Sequence, residues 1–67
     1  MTDKKIRNYD EGYAIVIYNS FKKYDRNTFV YRYLKDLDDA KYEANSLSKC
    51  DGITYAVYDC KNLKIVY

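Results

Sequence analysis

Leu37, Ala40, Ala44 and Leu47 recur at intervals of three, four and three, and this one stripe of helical period divides the chain. On either side the apolar residues change to a period of two, the spacing of strands. Tyr13–Tyr18 and Thr28–Tyr33 come before the stripe, and Ile53–Cys60 and Leu63–Tyr67 come after it. The order is β-β-α-β-β, which predicts an α+β fold: a four-stranded antiparallel sheet with one helix packed on one face. Asp36 is placed to cap the helix by accepting from the backbone N–H of Asp39, while Asp38 and Asp39 meet the positive end of its dipole. Asp51-Gly52 ends the helical segment, Asp25-Arg26-Asn27 is the expected turn of the first hairpin, and Lys61-Asn62 that of the second. Residues 1–11 show no period and are expected to be a flexible arm or an added edge strand.

A chain of 67 residues makes one domain with one core. At this size folding buries only about 60% of the surface that the unfolded chain exposes, so docking onto a partner or a second copy would add stability. The 18% of aromatic residues argues against disorder, and twelve Lys and Arg against ten Asp and Glu leave a net charge of +2, too balanced to make nucleic acid the default partner. No stretch approaches the roughly 18 apolar residues of a membrane span, and Met1–Glu11 is polar where a secretory signal needs an apolar run. A cytoplasmic protein with no membrane contact is expected. Cys50 and Cys60 flank a strand, too far apart along it for a bridge, and two free thiols fit a reducing compartment.

Parity along the strands sorts the side chains into two faces. Tyr13, Ile15, Ile17, Phe29, Tyr31, Tyr33, Ile53, Tyr55, Val57, Leu63 and Ile65 form the more apolar set, which is expected beneath the helix. Ala14, Val16, Tyr18, Val30, Arg32, Thr54, Ala56, Tyr58, Lys64 and Val66 form the other, expected as an open face available to a partner or to a second copy. Joining strands into common faces in this way assumes that no bulge interrupts them.

Residue supply excludes most catalysis. With no histidine there is no Ser-His or Cys-His pair, and neither glycine lies in a phosphate-cradling loop. Asp36, Asp38, Asp39 and Glu43 form an acidic patch on the helix, and acids at a helix start serve its dipole far more often than they serve chemistry. A non-enzymatic protein with no metal site and no cofactor is expected.

Binding has more to draw on. Ten residues are tyrosine, and tyrosine and arginine are enriched at the energetic centres of interfaces. On the open face Tyr18, Arg32, Tyr58 and Lys64 are the partner-binding candidates. In the loop between the first two strands Lys22, Lys23, Tyr24 and Arg26 interleave charge with rings, the pattern by which single-stranded nucleic acid is held, so a small nucleic-acid binder is the alternative. A structural homodimer through the open faces is the third expectation.

The strand-strand-helix-strand-strand order carried by Tyr13–Tyr18, Thr28–Tyr33, Leu37–Leu47, Ile53–Cys60 and Leu63–Tyr67 resembles that of small phage-encoded inhibitors of bacterial defence, including some anti-CRISPR proteins. The resemblance lies in size, order and composition, and it carries over no functional residue. It implies a phage or mobile-element protein that inhibits or modulates a host protein or complex by direct contact. The positive net charge departs from the strongly acidic inhibitors that mimic DNA.

Overall fold

A computed structural model of the chain describes residues 4–19 and 24–67. Asp36 caps the helix as its position predicts, accepting from Asp39 N–H at 3.2 Å, and Leu37–Asp51 (α1) follows. Gly52 ends it in the left-handed conformation at φ 69°, its N–H donating to the Ser48 carbonyl at 3.0 Å. Ala40 and Ala44 are fully buried, and their small side chains let α1 lie close against the sheet.

The sheet consists of Tyr13–Ile17 (β1), Arg32–Leu34 (β2), Tyr55–Asp59 (β3) and Lys64–Ile65 (β4), antiparallel throughout, in the order β2-β1-β3-β4. The predicted α+β architecture is therefore present. β1 and β3 form its centre, in a register that sets Tyr13 opposite Asp59 and Ile17 opposite Tyr55. Ile15, Ala40, Ala44, Tyr55 and Val57 make the core under the helix, bordered by Tyr13, Ile17, Leu34, Leu37, Leu47 and Val66.

The face away from the helix is not open. Ile6, Ala14, Val16, Val30, Ala56, Tyr58 and Cys60 form a second buried cluster there, with Tyr9, Tyr24, Tyr33 and Ile65 packed around it. Its cover comes from two segments that hold each other. Val30 N–H donates to the Lys4 carbonyl at 2.7 Å, Ile6 N–H to Thr28 at 3.0 Å and Arg7 N–H to Arg26 at 2.8 Å, and Lys5 pairs with Phe29 in a single antiparallel bridge. Ile6–Asn8 then turns as one 3-10 element that presses Ile6, which has no accessible surface, onto the sheet. The described part of the 1–11 segment is thus a packed lid, neither a free arm nor a full edge strand. A lone apolar anchor has no period, so nothing in the sequence pattern reveals it. The open-face dimer expectation loses its basis with this cover, and Tyr58, at 3% exposure, is a core ring and not a contact residue.

The predicted parity is also inverted in two strands. Tyr31 N–H donates to the Ile15 carbonyl at 2.8 Å while Arg32 is the register partner of Ile15, so two consecutive residues stand opposite one, as in a β-bulge. Beyond it Tyr33 lies on the lid side, stacked on Tyr9 with centroids 4.2 Å apart, and Leu34 lies on the helix side. Gly12, at φ 88°, passes so close to the Tyr33 ring that a Cβ there would overlap its hydroxyl. Between β3 and β4 the turn spans Cys60–Leu63 and keeps the register that a Lys61-Asn62 turn would give, with Tyr58 opposite Ile65; register partners share a face, so Ile65 lies on the lid side with Tyr58 and Val66 on the helix side, the reverse of the predicted sets.

Burial of Cys60 under the lid pushes its thiol up to about 11, whereas Cys50 is exposed at the end of α1. A disulfide reagent at pH 8 is expected to modify one thiol per chain in the native protein and both in denaturant. Rapid modification of both in buffer would show that the lid does not hold.

Candidate partner-binding surface

Lid and bulge together decide where rings remain outside. Asp25 fixes the turn before β2: its carboxylate accepts from Asn27 N–H at 2.8 Å, its carbonyl from Thr28 N–H at 3.1 Å, and its own N–H donates to Thr28 Oγ1 at 3.0 Å. The chain leaves this turn with Thr28 and Val30 pointing into the protein and Phe29 pointing out. Tyr31 follows at the bulge. Phe29 and Tyr31 meet edge to face at 4.8 Å, and Tyr31 meets Tyr55 in the same way at 5.4 Å. Such geometry suits the ring quadrupoles and holds the three rings as one unit. Tyr55 anchors it, donating from its hydroxyl to Asp51 Oδ2 at 2.8 Å, a bond that holds its pKa above the ordinary tyrosine value.

Phe29 is 47% exposed and Tyr31 40%, and with Ile17, Asn19 and Thr28 they line a cleft of about 150 Å³. That is room for one inserted side chain. Parity had placed both rings beneath the helix. The helix stripe offers only two leucines and two alanines, too little apolar surface to cover five rings, and that mismatch is the signal in the sequence that could have exposed them.

The residues singled out from the sequence do not form one patch. Tyr18 is exposed at the end of β1 near the cleft. Tyr24 is half buried; its hydroxyl accepts from Asn19 N–H at 2.8 Å and donates to the Ile17 carbonyl at 2.9 Å, and its ring lies 6.3 Å from that of Tyr58. Arg26 reaches back to the Arg7 carbonyl at 3.0 Å and so holds the lid. Lys22 and Lys23 lie outside the described residues. Arg32 sits on the helix side, its Nε 3.3 Å from Glu43 Oε2, and not on the opposite face where parity had set it. Asp36 is engaged as the helix cap, and Asp38 and Asp39 are exposed in the first turn. Lys64 stands at the far end of the sheet, opposite Asp59. Among the described residues no three of His, Cys, Asp and Glu are grouped so as to hold a metal ion.

Asp59 organises that far end. Its Oδ1 accepts from Lys61 N–H at 3.0 Å and Asn62 N–H at 3.2 Å, and its Oδ2 from Asn62 Nδ2 at 2.8 Å; the Asn62 side-chain bond is the main reason its carboxyl is held below the ordinary value. The turn so fixed carries Leu63 at φ 58° with 52% of its surface exposed. A leucine there bears the cost of the left-handed region, about 1–2 kcal/mol, without burying its side chain in return.

No protein-family model, curated protein or solved structure matches the chain.

Replacing Leu63 by Asn, which tolerates positive φ, is expected to raise stability by about 0.5–1 kcal/mol in urea unfolding. A loss of stability would show that the Leu63 side chain packs against the hairpin.

Proposed function

We propose that the chain is a small non-enzymatic binding protein that acts by protein–protein contact through the Phe29–Tyr31 cleft. The observation that carries this reading is two half-exposed rings packed edge to face beside a cleft of side-chain size, on the end of a sheet buried on both faces. Rigid rings give contact area with little entropy lost on docking, and interface energy concentrates on such anchors. Several groups that acid–base or nucleophilic chemistry could use are otherwise engaged: Asp59 accepts three hydrogen bonds, Asp36 caps the helix, Glu43 faces Arg32, and the Cys60 thiol is buried.

The resemblance in strand and helix order to small phage-encoded inhibitors of bacterial defence gives this contact a role. The chain would be a phage or mobile-element product, working in the host cytoplasm, that inhibits or modulates a larger host protein. No helix is long and apolar enough to cross a membrane among the described residues, which agrees with such a role.

Tagged chain and its Phe29→Ala variant, each checked for an unchanged melting temperature, would be used to capture partners from host lysate with and without nuclease. Capture should survive nuclease and fall by at least about tenfold in the variant, the loss of one interface anchor. Capture that disappears with nuclease, or that ignores the ring, would overturn the proposal.

A further inference from the structure

Asp51-Gly52 ends α1, and it is also the one place in the chain where an aspartate or asparagine precedes a glycine. In such a pair no Cβ shields the following nitrogen, so the side chain can close on it. The Gly52 nitrogen bonds to Asp51 Cγ, the carboxyl hydroxyl leaves with the amide proton as water, and a five-membered succinimide results. Water then adds at one of its two carbonyls. Opening at Cγ restores aspartate. Opening at the main-chain carbonyl leaves isoaspartate, with the backbone routed through Cβ and Cγ and so one methylene longer.

The surroundings give this reaction room. Asp51, Gly52, Ile53 and Thr54 are all exposed, and a Cβ at Gly52 would meet nothing within 4 Å. Hydrogen bonds restrain it at three points. The Gly52 N–H, which carries the attacking nitrogen, donates to the Ser48 carbonyl at 3.0 Å. The Asp51 carboxylate, which would be attacked, accepts from the Tyr55 hydroxyl at 2.8 Å. Ser48 Oγ accepts from Tyr55 N–H at 3.0 Å and ties the start of β3 to the same helical turn. Cyclisation therefore needs both reacting groups released together, and the end of a helix is where a fold opens most readily.

We propose that Asp51–Gly52 is a site of spontaneous succinimide and isoaspartate formation, gated by opening of the last turn of α1. The product takes the carboxylate away from Tyr55, whose ring, 7% exposed, anchors the Phe29–Tyr31 pair. Isomerisation unties the exposed rings from the helix end. The inference stands on the chemistry of that end and is independent of the contact reading of the cleft.

The test keeps the full chain warm for days in heavy-oxygen water at mildly acidic pH, beside the same chain in guanidinium and a blocked Lys49–Ile53 peptide. Peptide mapping by mass spectrometry counts heavy oxygen and isoaspartate at each aspartate. Isomerisation should centre on Asp51, run at least about tenfold more slowly in the native chain than in the peptide, and reach the peptide rate in guanidinium. Tyr55→Phe, which keeps the ring and removes the hydroxyl bond, and Ser48→Ala, which removes the Oγ bond, should each speed it while the melting curve shows the variant folded. Asp51→Glu, which cannot close a five-membered ring, should abolish it. In the isolated isoaspartyl chain the NMR signals of the Phe29 and Tyr31 rings should move toward random-coil positions. Equal rates in native chain and peptide would remove the gate, and absence of isoaspartate at Asp51 in guanidinium would remove the site. Faster reaction at another aspartate, folded variants no faster than the parent chain, or unmoved ring signals would overturn the proposal as well.

Discussion

Ile6 fills the face of β1 and β3 that the helix cannot reach. A sheet covered on one side by a single helix would leave Ala14, Val16, Ala56 and Tyr58 in water, and in a chain this short that is a large part of the apolar surface available to a core. With Ile6 seated, β3 is buried at all five of its positions and the three central positions of β1 are buried as well. The domain becomes three layers from a chain with material for two. Everything that reaches the surface as a candidate contact does so because this third layer claims the residues beneath it.

The lid also explains the position of the rings. By pairing with Thr28–Val30 it holds that segment off the main sheet, so β2 begins only at Arg32 and the bulge opposite Ile15 absorbs the change of direction. Phe29 and Tyr31 emerge at the joint, outside both cores, and Tyr55 with Asp51 fixes them from the helix end. Exposed rings at the place where a strand changes partner follow from the covering of the sheet, without any segment dedicated to presenting them.

The element order, the helix cap at Asp36 and the stop at Gly52 were legible because each rests on local chemistry: a period, a side-chain acceptor, a residue free at positive φ. The division of faces was legible only within β1 and β3, where no irregularity intervenes. It inverted in β2, where a bulge shifts parity by one with no glycine or proline to mark it, and in β4, where the register sets Ile65 opposite Tyr58 and so joins odd positions of one strand to even positions of the other; Leu63 occupies the left-handed position that a glycine would have announced. The site suffered most. Tyr58 and Tyr24 belong to the lid-side core, Arg32 to the helix side, and the exposed pair Phe29 and Tyr31 had been placed in the core. Of the ring candidates Tyr18 alone kept its exposure. Its strand keeps its register to the end, with Tyr18 N–H donating to the Thr54 carbonyl at 2.8 Å.

The central claim is that the lid is part of the fold, and Ile6→Ala tests it most directly by equilibrium urea unfolding. Truncating a fully buried isoleucine in a core should lower stability by about 2–5 kcal/mol, a large share of what a domain of this size possesses. It should also leave Cys60 open to thiol reagents under native conditions. A cost below about 0.5 kcal/mol, the range of ordinary surface substitutions, would contradict the account and return the second face of the sheet to solvent.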